Sequence, residues 1–240
     1  MRHLSTLAFA VFSALCARAE EPNYETLIAL RSSSGFRAAL EAADARLTVN
    51  ADDPNAVGVR ALVYANAVDY LGLLPADARR AKTMAMASAQ QLAPENPWTR
   101  AAFGLIHQAD DVVGAERELT RCIDASPGFL ECYNLYGDLL RKTERADQAA
   151  GVYQRALQRW PTDGELLISH ALNLEETGHT DQAVEVLERL VREQPDFARG
   201  HWHLAVLIYE SGGDRALALR EAQRALELDP LIWNGNKLLV

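Results

Sequence analysis

From residue 95 to residue 230 apolar side chains return at spacings of three and four. Ala149, Val152, Tyr153, Ala156 and Leu157 form one such stripe, and Ala183, Val186, Leu187, Leu190 and Val191 form the next. That period puts one greasy face on an α-helix and polar residues on the other. The stripes are punctuated by Pro94, Pro127, Pro161, Pro195 and Pro230, at intervals of 33, 34, 34 and 35. Proline cannot continue a helix interior, so each one closes a unit. Within the units, Gly137 matches Ala171 and Ala205, Ala149 matches Ala183 and Ala218, Tyr153 matches Leu187, and Ala156 matches Leu190 and Ala225. The spacing predicts two helices per unit. Small residues let the pair approach to the short end of the 8–10 Å interaxial range, and Gly178 and the Gly212-Gly213 pair end first helices where positive φ closes the last turn.

Upstream the spacing is looser. Gly35-Phe36 through Ala39, Ala43 and Leu47 to Pro54 reads as a second helix, Asn55–Tyr70 as a first helix, and Ala78–Leu92 as another second helix after an enlarged turn at Leu71–Pro75. The interval from Pro54 to Pro94 is 40, an insertion of about six residues beyond the period.

A small residue early in one helix, another twelve residues later, an aromatic or leucine four beyond that, and proline at the close, with period 34, resembles the tetratricopeptide repeat (TPR). The resemblance is specific from Pro94 to Pro230 and weaker before it. It implies an all-α superhelical solenoid of about five to six helix-turn-helix repeats: degenerate ones over 20–94, then 95–127, 128–161, 162–195 and 196–230, with 231–240 as a tail or partial capping helix. No repeat buries its own apolar face, so stacking neighbours make the core.

Composition agrees. Apolar residues are 49%, aromatics 7%, and the β-branched runs that feed a sheet are missing. The start, MRHLSTLAFAVFSALCARAEEP, has a basic residue, 14 uncharged residues from Leu4 to Ala17 and the small-residue pattern Ala17-Arg18-Ala19. This reads as a secretory signal peptide over 1–19, too short to span a bilayer. Export, most simply to a periplasm, is expected. Leu15 stands where a lipoprotein signal needs a small residue before Cys16, so a membrane association through a lipidated Cys16 or an uncleaved signal is the alternative. Cleavage removes two arginines and no acid, moving the net charge from −9 to −11. Nucleic acid is then not an expected partner, since binding it needs a basic face.

Cys122 and Cys132 lie five residues either side of Pro127, one late on a second helix and one early on the next first helix. Two readings stand: a disulfide stapling repeat to repeat, contributing a little under about 3 kcal/mol, or two small apolar side chains filling the joint. His201 and His203, two apart on a helix, do not share a face and do not chelate one ion. No HExxH, phosphate loop or nucleophile elbow is present. The acids Glu175, Glu176, Glu185 and Glu188 sit at helix-surface spacing. The chain reads as a non-enzyme with no cofactor, no metal and no small-molecule substrate.

The resemblance implies a concave groove lined by first helices and binding a protein segment. Carried over, its inward positions are Trp98, Leu105, Asn134, Asp138, Arg141, Ser169, Leu172, Arg199, Trp202, His203, Val206 and Tyr209. Trp202 and Tyr209 would be anchors there; with the register shifted by one, Trp202 is core. Some TPR modules clamp a C-terminal carboxylate with lysine, asparagine and arginine. Asn134, Asp138, Ser169, Arg199 and His203 occupy the comparable places, and Asp138 together with the absent lysines disfavours that ligand. An extended or helical partner segment is expected, in envelope, secretion or pilus assembly or in cytochrome maturation.

Overall fold

The computed structural model describes residues 23–29, 33–66, 75–230 and 232. The leader with Cys16, the turn residues 71–74 and the tail apart from Ile232 lie outside the described residues. Helices follow one another as α1 (Tyr24–Ala29), α2 (Ser33–Val49), α3 (Pro54–Asn66), α4 (Pro75–Leu92), α5 (Pro97–His107) and α6 (Val112–Ala125). They continue as α7 (Leu130–Lys142), α8 (Ala146–Arg159), α9 (Gly164–Glu176), α10 (Thr180–Glu193), α11 (Ala198–Glu210) and α12 (Arg215–Leu228). There is no strand among the described residues.

The helix ends follow local chemistry. Asp111 accepts from Gly114 N–H at 2.8 Å, Asp163 from Leu166 N–H at 2.9 Å, and Asp214 from Ala216 N–H at 2.8 Å, each covering an amide that the first turn leaves unpaired. Second helices close alike: the N–H of Ser126, Trp160, Gln194 and Asp229 donates to the carbonyl of Cys122, Ala156, Leu190 and Ala225, and a proline follows directly.

Two boundaries differ from expectation. Pro54 is the first residue of α3, not the end of the unit before it, and α4 begins at Pro75, not at Ala78. Both prolines sit at the first helical position, where the missing N–H has no intrahelical partner to lose. The described part of the helix expected over Asn55–Tyr70 ends at Asn66; residues 67–70 lie outside the described residues.

Each helix packs on the next. In addition α3 touches α5, α5 touches α7, α7 touches α9, and α9 touches α11. First helices therefore stand side by side as one wall, with the second helices of α5–α12 behind them, and the chain is an α-solenoid. Small residues set the closest crossings. A Cβ on Gly104 would lie 2.5 Å from Leu119 Cγ, and one on Gly137 would lie 2.3 Å from Tyr153 Cε1. The core runs through the stack as two abutting clusters, one from Tyr24 to Leu166 and one from Leu167 to Ala218. Cys122 and Cys132, both fully buried, are joined in a disulfide across the α6–α7 joint.

Candidate binding groove

The wall of first helices carries a groove of about 280 Å³. Of the residues assigned to it from the sequence, Leu105, Asn134, Asp138, Arg141, Ser169, Leu172 and Arg199 line it together. They come from α5, α7, α9 and α11 because residues one repeat apart fall on the same face of successive first helices.

The two tryptophans do not belong there. Trp202 is 3% exposed and Trp98 is 6% exposed. Trp98 packs edge-on against Phe129 at 4.6 Å and Tyr24 at 6.3 Å, inside the core. An anchor must be reachable, so both are corrected to core residues. Neither tryptophan is among the residues that line the groove. Val206 is half-buried. Tyr209 is 47% exposed, with the Arg215 guanidinium 5.7 Å above its ring.

Phe36, Asn66, Leu135, Lys142, Glu165 and Ile168 also line the groove and were missed from the sequence. Glu165 and Arg199 are one period apart and form an ion pair at 2.6 Å. Arg141 pairs with Glu176 and lies 3.9 Å from Asp138. Opposite charges 34 or 35 residues apart were the signal that could have found both contacts.

Electrostatics in the wall are strongly shaped by burial. The Tyr153 hydroxyl donates to Asp138 Oδ1 at 2.8 Å. Burial, with the Asp138 charge, pushes the Tyr153 phenol far above its ordinary range, so it stays a donor. His203 is half-buried; burial first, then the Arg199 and Arg141 guanidiniums, push its imidazole down to about 3, so it is neutral at pH 7. Glu175 is shifted up by burial and by the carboxylates of Glu210 and Glu176. On the groove floor the Asn134 side chain is 5% exposed and its Oδ1 is buried without a hydrogen-bond donor.

Known proteins share this architecture. Two family models, both described as tetratricopeptide repeat, match residues 140–206 and 109–164. Residues 109–206 thus carry tetratricopeptide repeats. It is 31% identical over 120 residues to human protein O-mannosyl-transferase TMTC1, a match that covers 48% of this chain and 14% of that protein. The fold is similar to that of human IFIT1, solved as a dimer with m7Gppp-AAAA, with a TM-score of 0.65 at 17% identity. That match covers 80% of this chain and 46% of IFIT1, so the chain spans a small part of the first of these proteins and under half of the second. TTC0263, a thermophilic TPR protein of Thermus thermophilus, matches with a TM-score of 0.58 at 19% identity over 66% of this chain and 87% of its own. Pseudomonas aeruginosa pilF matches with a TM-score of 0.53 at 17% identity over 70% and 76%. At these identities the likeness of the solved structures is one of fold.

Proposed function

We propose that this protein is a binding scaffold that holds a segment of a partner protein against the first-helix wall. The observation that carries the reading is the groove itself, where side chains from α5, α7, α9 and α11 converge. A solenoid holds such positions at a fixed pitch, so an extended partner is read one repeat at a time with little change of shape. The net charge of −9 favours a protein partner over nucleic acid.

The site of action we propose is the cell envelope, after export, in assembly of an envelope, secretion or pilus complex or in cytochrome maturation. The leader-like start of the sequence supports export, and so does a buried disulfide, which forms and persists in oxidising compartments. No helix among the described residues is long and apolar enough to cross a membrane. The second reading, an anchored assembly factor, rests on Cys16 or an uncut leader. Fractionation separates the two: release from membranes by salt and carbonate supports the first, and retention supports the second.

The groove is tested by Leu172→Asp. Capture of the partner from envelope extract should fall at least about tenfold, with the melting temperature close to wild type, while Arg155→Glu on the outer face of α8 leaves capture unchanged. Equal capture by all three proteins would remove the groove from the function.

A further inference from the structure

A second hollow shares no lining residue with the first-helix groove. α2 and α4 both pack on α3, and where the three meet a cleft of about 200 Å³ is lined by Leu47, Ala51, Val57, Arg60, Ala85 and Ser88. Four of the six side chains are aliphatic. The other two, Arg60 and Ser88, supply the cleft's side-chain hydrogen-bond donors, and no carboxylate lines it. A volume of about 200 Å³ is the share of about seven water molecules and lies below the roughly 300 Å³ at which pockets for drug-sized ligands begin, so an occupant has room for a head group and a short chain.

The Arg60 guanidinium is open to a second acceptor. Arg46, on α2, donates twice to Asp53, at 2.6 and 3.0 Å, and is closed on it. Arg60 instead meets Asp44 across 3.6 Å, between side chains that are 34% and 51% exposed. An exposed pair at that distance contributes little, and at Asp44 burial outweighs the Arg60 charge and shifts the carboxyl up. Most of the guanidinium's donors are therefore left for another anion, and their planar fork matches a carboxylate.

We infer that this cleft binds a small aliphatic monocarboxylate, whose carboxylate accepts from Arg60 and Ser88 while its short chain lies along Leu47, Ala51, Val57 and Ala85. A polypeptide end would bring the same carboxylate together with main-chain N–H and C=O groups, and the aliphatic walls offer those groups nothing to bond. The free acid is the occupant that fits. The six residues come from three helices and a turn of the loosely spaced region, which is why the sequence read alone pointed to no small ligand.

The test titrates the full chain by ligand-observed NMR with hexanoate, and with acetate and 1-hexanol as its head and tail alone. Hexanoate should bind with a Kd of about 1 mM or lower, at least about tenfold tighter than either control. Arg60→Gln should weaken hexanoate at least about fivefold and leave 1-hexanol as it was. Ser88→Leu, which fills the cleft from a half-buried wall position, should abolish hexanoate binding while the melting temperature stays close to wild type; it carries the test if Arg60→Gln melts lower. Equal binding of hexanoate and 1-hexanol, no binding of hexanoate, or unchanged affinity in the folded variants would overturn the inference. An N-acetylated hexapeptide ending in a leucine carboxylate that binds tighter than hexanoate would give the cleft to a chain end and would overturn it too. All of these outcomes leave the reading of the first-helix groove where it stood, because the two hollows have no lining residue in common.

Discussion

In the hairpin of α7 and α8 the small residue at the crossing is Gly137, pressed against Tyr153, whose hydroxyl reaches Asp138. One period later, in α9 and α10, the same two places hold Ala171 and Leu187, both buried, and Leu172 stands where Asp138 was. The turns repeat the contrast. Glu144 N–H donates to Arg141 O and Arg145 N–H to Leu140 O; Gly178 N–H donates to Glu175 O and His179 N–H to Leu174 O. The hydrogen bonds coincide, yet Glu144 has φ +59° where Gly178 has φ +80°. At the joint into the following repeat, Ala156 and Leu166 take the register positions that Cys122 and Cys132 hold one repeat earlier, and Leu190 and Gly200 take them one repeat later. The solenoid thus constrains the summed volume at a crossing, the sign of φ at a turn and the apolar filling of a joint. It leaves the individual residue free.

The largest effect should come from making one joint like the other. Cys122→Ala with Cys132→Ala should cost about 2–4 kcal/mol in chemical denaturation, by releasing the unfolded chain and emptying a buried joint. Cys122→Ala with Cys132→Leu, which copies Ala156 and Leu166, should recover part of that loss.

Exchanging the crossing residues comes next. Gly137→Ala drives a methyl into the Tyr153 ring and should cost about 1–3 kcal/mol. Ala171→Gly, which removes a buried methyl, should cost about 1–2 kcal/mol through backbone freedom and lost packing together.

The third contrast is one of charge. His203 in α11 stands where α9 has Ser169, which does not titrate. The folded His203 value of about 3 lies below the ordinary histidine value of 6.5. The unfolded chain therefore binds the extra proton between pH 6.5 and 3, and stability falls as pH falls through that window. His203→Gln should flatten the fall by up to about 1.4 kcal/mol per pH unit. A smaller slope should remain from His170, shifted in the same direction by burial and by Arg189. Denaturation curves at a series of pH values would show both.

The smallest effect should be a gain. Glu144→Gly relieves a left-handed residue and should raise stability by about 0.5–1 kcal/mol, whereas Gly178→Ala should lower it by about 1 kcal/mol.

The paired helices and their order were legible because volume and proline punctuation are written once per period. What the sequence hid were features in which a different residue does the same job. Nothing in Thr143-Glu144-Arg145 announces a left-handed turn, since glutamate is not chosen for it; only alignment with Gly178 would have pointed there. Trp202 read equally as anchor or core, because a one-residue register shift on a helix turns a side chain by about 100°. Asn134, Asp138, Arg141, Ser169 and Arg199 were found by their repeat position, while Lys142 was not. Glu165 was passed over because an acid at helix-surface spacing looks solvated until its partner, one period away, is considered.

The central claim, that the first-helix wall holds the partner, is tested most directly by a photo-crosslinking amino acid placed at Leu172 on that wall and, separately, at the exposed Val113 on α6. Irradiation in native envelope extract should join the partner to the Leu172 probe and leave the Val113 probe unreacted. Adducts at Val113 with none at Leu172 would contradict the account.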